Sequence, residues 1–165
     1  MPDASADTPP GEWQLTEAGA AQAAGLRCRL PAGALLVAST EVKAIETIAA
    51  AHTDDRFDEV RRDEPFGGDF RARRRAYVAG AVPPGWEPHA EVAGRFDAGV
   101  RHWRTVAGDR PLVVASHGMA MTIWLTAAAT VADPGAFWAA LRFPDLLMVD
   151  LGESTVTRGY QAAGA

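Results

Sequence analysis

Cysteine, lysine and positive charge are the scarcest features of this 165-residue sequence, and each shortage excludes a class of function. Cys28 stands alone, so neither a disulfide framework nor a thiolate zinc site can be built, and its Ala-rich surroundings predict a small buried hydrophobe. Sixteen basic residues against 21 acidic ones give a net charge of −5, which leaves no electrostatic footprint for a nucleic acid. The four histidines, His52, His89, His102 and His117, are too scattered to form a metal motif, so no metal or other cofactor is expected. Residues 1–10 combine neither a basic start nor an apolar core and read as a loop rather than a secretion signal. The apolar run 112–132 is broken by Ser116-His117-Gly118, which would place polar groups in hydrocarbon, so no membrane partner is expected. These exclusions predict a cytoplasmic protein whose residues 1–165 form a single domain, and a hydrophobic content of 48% suffices for a core.

What the sequence does contain is an alternation of apolar strands and amphipathic helices. Thr16 caps a helix over 17–30, and Pro31-Ala32-Gly33 ends it. A buried strand over 34–38 runs through a Ser39-Thr40 cap into a helix over 41–51, which stops at a polar His52-Thr53-Asp54-Asp55. Residues 56–88 are irregular, with Pro65, Gly67, Gly68, Pro83, Pro84 and Gly85, and hold one short helix over 69–78. Such an insertion beside a sheet edge can serve as a lid. A helix over 90–106 closes on Gly108, and a second buried strand ends at Ser116-His117-Gly118 before a helix over 119–129. Asp133-Pro134 opens a short helix to Leu141, and 146–151 with 155–160 read as a terminal hairpin or two edge strands. The alternation predicts an α/β fold of three layers, α/β/α, around a mostly parallel sheet.

Two strand–helix junctions concentrate the chemistry. His117 and Gly118 follow one strand, and Lys43 lies in the first turn of the helix that follows the other. Both junctions fall at the carboxyl edge of the sheet, where open α/β sheets bind ligands and helix amino termini favour anions. A cation in a first helical turn faces the positive end of the helix dipole, and an oxyanion nearby would reverse the sign of that interaction. Lys43 is the only lysine, every other cation being arginine; it could instead be a solvated partner of Glu41 or Glu46.

Leu15-Thr16-Glu17-Ala18-Gly19-Ala20-Ala21-Gln22-Ala23, Ser39-Thr40-Glu41-Val42-Lys43-Ala44-Ile45-Glu46-Thr47-Ile48-Ala49 and Ser116-His117-Gly118 together resemble three successive landmarks of the histidine phosphatase, or phosphoglycerate mutase-like, superfamily. Gly85-Trp86-Glu87 followed by Arg95-Phe96 resembles a further segment of its small members. The resemblance implies a phosphoglycerate mutase-like fold, no cofactor, and a small phosphorylated substrate or phosphate as partner. It further implies that His117 is the family's second histidine and that Lys43 replaces its second arginine. Lys43, His117 and Gly118 would then bind phosphate, with a lysine that keeps the charge but loses the planar fork. Glu59 best matches the carboxylic acid that protonates the leaving oxygen, with Asp58 or Glu64 as alternatives.

The same resemblance places the first strand, which ends in the nucleophilic Arg-His, immediately upstream of Met1. Arg101-His102 reads as a surface pair and is no substitute. The expected activity is therefore that of a small phosphomonoester phosphatase, working through a phosphohistidine if the complete protein carries that histidine. A catalytically inactive anion-binding or regulatory relative and a mutase-like phosphotransferase are the alternatives. No Gly-x-Ser-x-Gly turn supports an α/β-hydrolase. The arginines Arg61, Arg62, Arg71, Arg73, Arg74 and Arg75 could recruit an anionic substrate but are expected to be mostly solvated.

Overall fold

The computed structural model describes residues 3–4, 7–65, 67–128 and 131–159. Three parallel strands form the sheet, in the order β2 (His52–Thr53), β1 (Leu35–Ala38), β3 (Leu112–Ala115). Its helices are α1 (Glu17–Arg27), α2 (Val42–Ile48), α3 (Phe70–Val78), α4 (His89–Ala107), α5 (Gly118–Ala128) and α6 (Pro134–Ala139). A separate antiparallel pair, β4 (Leu147–Asp150) and β5 (Thr155–Arg158), and two short 3-10 helices, Pro10–Glu12 and Asp55–Phe57, complete the described elements. The expected strand and helix ends at Tyr160 and Ala129 lie outside the described residues.

Alternation along β1 divides the layers. Leu35 and Val37 join the large apolar cluster with Val92, Phe96 and Val100 of α4 and Met119, Ala120 and Ile123 of α5. Ala23 and Leu26 of α1 and Ala44 and Ile48 of α2 are buried outside that cluster, as helices on the opposite face require. The helices follow their patterns: α1 buries Gly19, Ala23 and Leu26, α4 buries Val92, Phe96, Gly99 and Val100, and Thr16 Oγ1 caps α1 by accepting from the Gly19 amide at 3.1 Å. Gly99 lies against Phe57, and a Cβ there would come within 2.8 Å of its ring.

Several expectations need correction. Cys28 is exposed rather than buried, because α1 ends at Arg27 and the cysteine is its C-cap. The helix after β1 ends at Ile48, where Ala49 turns left-handed (φ 52°) and frees His52 and Thr53 to pair with Val37 and Ala38 as β2. Its N-cap is Glu41, not Ser39-Thr40. Among the insertion arginines, Arg62, Arg73 and Arg74 surround the buried carboxylate of Glu64 rather than standing free in solvent, whereas Arg61, Arg71 and Arg75 are exposed as expected, Arg61 reaching Glu87 from the surface.

β3 pairs only with β1 among the described residues. Each of its four apolar residues is half-buried, and the β4–β5 pair shares no ladder with it.

Candidate active site

Strand register builds the site. Leu35 to Ala38 align one to one with Leu112 to Ala115, and the Ser39 amide donates to the Ala115 carbonyl at 2.9 Å. The segments 39–41 and 116–118 therefore leave the sheet side by side at its carboxyl edge. His117 is 7% exposed, and its Nε2 shares a 2.7 Å hydrogen bond with Ser39 Oγ, itself fully buried. The same Nε2 lies 3.2 Å from Glu41 Oε1, within ion-pair distance of a protonated imidazole. The second carboxylate oxygen of Glu41 accepts from Lys43 Nζ. That ammonium also donates to the Pro10 carbonyl at 2.6 Å and stands 5.7 Å from the centre of the Trp13 ring. Side-chain exposures of 17% for Lys43 and 13% for Glu41 remove the reading of Lys43 as a solvated helix residue, although its partner is one of the two glutamates expected.

Charge follows this geometry. Burial pushes the His117 imidazole below its ordinary value, with Glu59 and Glu41 acting in the opposite direction. Burial acts to raise the Glu41 carboxyl, but His117, Lys43 and the Glu59 amide outweigh it, and the carboxyl is held below its usual range.

Glu59 reaches the same junction by a different route. Its carboxylate accepts the amides of Ala120 at 2.9 Å and Met119 at 3.4 Å, as well as the Val60 amide at 3.0 Å. It thus sits on the amino terminus of α5. Its own amide donates to Glu41 Oε1 at 2.9 Å. Asp58 accepts the Thr40 amide and hydroxyl, tying the same loop to the end of β1, whereas Glu64 is committed to three arginines of the insertion. Gly118 begins α5, and a Cβ there would stand 3.1 Å from Trp138 Nε1 and 3.2 Å from Phe143 Cζ. Ser116 donates to the Phe57 carbonyl at 2.7 Å, so its hydroxyl is spent on the loop.

Expected site residues His117, Lys43, Gly118 and Glu59 therefore surround one junction, joined by Ser39 and Glu41, which sequence reasoning does not single out. It also misses a supporting pair. Glu87, its side chain 1% exposed, holds Arg95 by two hydrogen bonds of 2.8 and 3.0 Å, and Arg95 donates to the carbonyls of Arg56 and Asp58 at 2.8 Å and Glu59 at 3.3 Å. One guanidinium thus fixes the loop that presents Asp58 and Glu59. In the sequence, the only signal for this pair is the resemblance of its segment to small family members.

No protein-family model matches the sequence, and no curated protein does. Solved structures do. The Thermus thermophilus protein TTHB049 superposes with a TM-score of 0.63 at 20% identity, over 91% of this chain and 86% of that one. The native mycobacterial glucosyl-3-phosphoglycerate phosphatase gives 0.59 at 22% identity, over 86% and 80%. A protein described as mycobacterial hydrolase 1 gives 0.56 at 22% identity, over 79% and 74%. TTHB049 and the glucosyl-3-phosphoglycerate phosphatase are histidine phosphatase superfamily proteins. This chain has the histidine phosphatase fold. Within that fold, His117 and Lys43 follow the two adjacent strand ends described above. Among the described residues no helix is long and apolar enough to cross a membrane.

Proposed function

We propose that the chain acts as a small phosphomonoester phosphatase of the histidine phosphatase type, located in the cytoplasm. The observation that carries this reading is the meeting of Lys43 and His117 around a single anionic group at the carboxyl edge of β1 and β3. An ammonium, an imidazole N–H and a close-packed glycine at one junction suit the oxygens of a phosphoryl group. The likeness in fold to a phosphatase of a phosphorylated sugar acid supports a small phosphorylated substrate.

In this reading Lys43 and His117 hold phosphoryl oxygens and Gly118 allows the phosphate a close approach. Where the complete protein carries the upstream histidine that the family resemblance implies, its imidazole nitrogen is the nucleophile, on a strand laid beside β3. It attacks phosphorus, the bond to the leaving oxygen breaks, and that oxygen takes a proton from Glu59 or Asp58. Water then attacks the phosphohistidine, the P–N bond breaks, and the water proton returns to the carboxylate. Glu59 must release its amide contacts on α5 to serve as the acid, whereas the Asp58 carboxylate is held through Thr40 among the described residues.

Release of phosphate from a generic aryl phosphate tests the proposal, measured on this chain and on a form extended upstream. Activity confined to the extended form, and lost with His117→Ala, is the expected result. Phosphate binding with no turnover in either form would favour a non-catalytic anion-binding module, and transfer between phosphorylated sugar acids would favour a mutase.

A further inference from the structure

We propose that Glu41 is a built-in competitor for the oxyanion that this site receives, so that the cradle formed by His117 and Lys43 is closed by the protein's own carboxylate until a phosphoryl group displaces it. The inference rests on the phosphate-binding reading above. Three groups face the two oxygens of Glu41: His117 Nε2 lies 3.2 Å from Oε1, the Glu59 amide donates to Oε1 at 2.9 Å, and Lys43 Nζ donates to Oε2. An imidazole, an ammonium and a main-chain amide, set around two oxygens of one anionic group, are also the donors that two oxygens of a phosphate would take. The Glu41 side chain is only 13% exposed, so it occupies the junction rather than solvent.

Two further features make the carboxylate a movable plug rather than a fixed strut. Glu41 is the N-cap of α2, yet its side chain makes no capping hydrogen bond, so no cap is broken when the side chain swings away. The contacts it would give up are those an incoming oxyanion restores. While Glu41 remains in place, its charge adds to those of Asp58 and Glu59 beside the site, and like charges oppose a free phosphate. After a turnover, the returning carboxylate competes with product phosphate and favours its departure. Glu41 thereby sets how tightly the site holds an oxyanion.

Inorganic phosphate is the probe. Titrated into the full chain and into Glu41→Gln, it is expected to bind the variant about tenfold more tightly, because one negative competitor is gone while the amide keeps the shape of the side chain. The gain is expected to vanish in the Glu41→Gln, Lys43→Met double variant. Equal or weaker binding by the single variant, with measurable binding by the unsubstituted chain, overturns the competitor role and leaves the phosphate reading intact. Absence of binding in both overturns both. A measurement on the unsubstituted chain covers a variant that does not fold: phosphate saturation is expected to move the Glu41 carboxyl carbon and Glu59 amide resonances together. Shifts at Lys43 and His117 with an unmoved Glu41 carboxyl overturn the proposal.

Discussion

Burial keeps His117 and, separately, His89 below the ordinary imidazole value of 6.5, so both residues are neutral in the folded chain near neutral pH. Their unfolded counterparts bind protons first as pH falls. Stability contributed by the neutral form is therefore complete above about pH 6.5 and is lost progressively below it. Glu41 and Glu87 shift below 4.5, so their contribution is present above that value and is lost as pH falls through the lowered range. Urea midpoints are expected to decline in two stages on acidification, the first beginning below about pH 6.5 and the second below about 4.5. His117→Asn should shrink the first stage without abolishing it, since His89 titrates there too. An unchanged first stage would show that His117 is solvated and not desolvated. At this scale the sequence is partly legible: His117 and Lys43 stand at recognisable strand ends. Glu41 is visible only as a neighbour of Lys43, because its approach to His117 depends on a strand pairing that brings together residues 78 positions apart, such as Ser39 and His117.

The Glu87–Arg95 pair links two elements and fixes a third. Arg95 rises from α4, Glu87 precedes that helix, and the carbonyls they hold belong to the loop 56–59. Arg95→Met leaves a buried carboxylate with only the largely exposed Arg61 as cationic partner. We expect a loss of about 3 kcal/mol in chemical denaturation, as for other buried pairs broken from one side. We also expect phosphate affinity to weaken, because the loop carrying Asp58 and Glu59 loses its anchor. A variant that unfolds less readily than the parent would contradict this assignment. Helices are the most legible elements, since α1 and α4 bury residues at the spacing their sequences display. The two-residue strand β2 is not legible, as His52 and Thr53 are polar and exposed and owe their conformation to pairing with β1. Nor can periodicity show that the arginines of α3 turn back onto Glu64 of the preceding loop.

At the scale of the molecule, β3 is an apolar strand whose four residues are only half-buried. Its sequence, Leu-Val-Val-Ala, is apolar toward both faces, a pattern suited to a strand flanked on two sides, yet only β1 lies beside it among the described residues. The same strand borders the site through Ser116 and His117. A form extended upstream by one apolar strand is expected to unfold at higher urea, each added ladder bond contributing about 0.5–1.5 kcal/mol, with a steeper transition as more surface is buried. Equal midpoints for both forms would remove the proposed seat of the nucleophile. The three-layer arrangement is legible from the order of strands and helices, because burial of two-sided strands leaves few alternatives. The separation of β4 and β5 from the main sheet is not, since a hairpin signal does not state which neighbour it lacks.

Cys28 carries a practical consequence. As the sole sulfhydryl, and outside the core at the end of α1, it accepts one fluorophore per chain without unfolding. Arg27, the residue before it, donates to the carbonyls of Glu46 and Thr47 on α2, so a dye at this position lies beside the helix whose first turn bears Lys43. Changes in its emission during turnover would report rearrangement of that helix in real time.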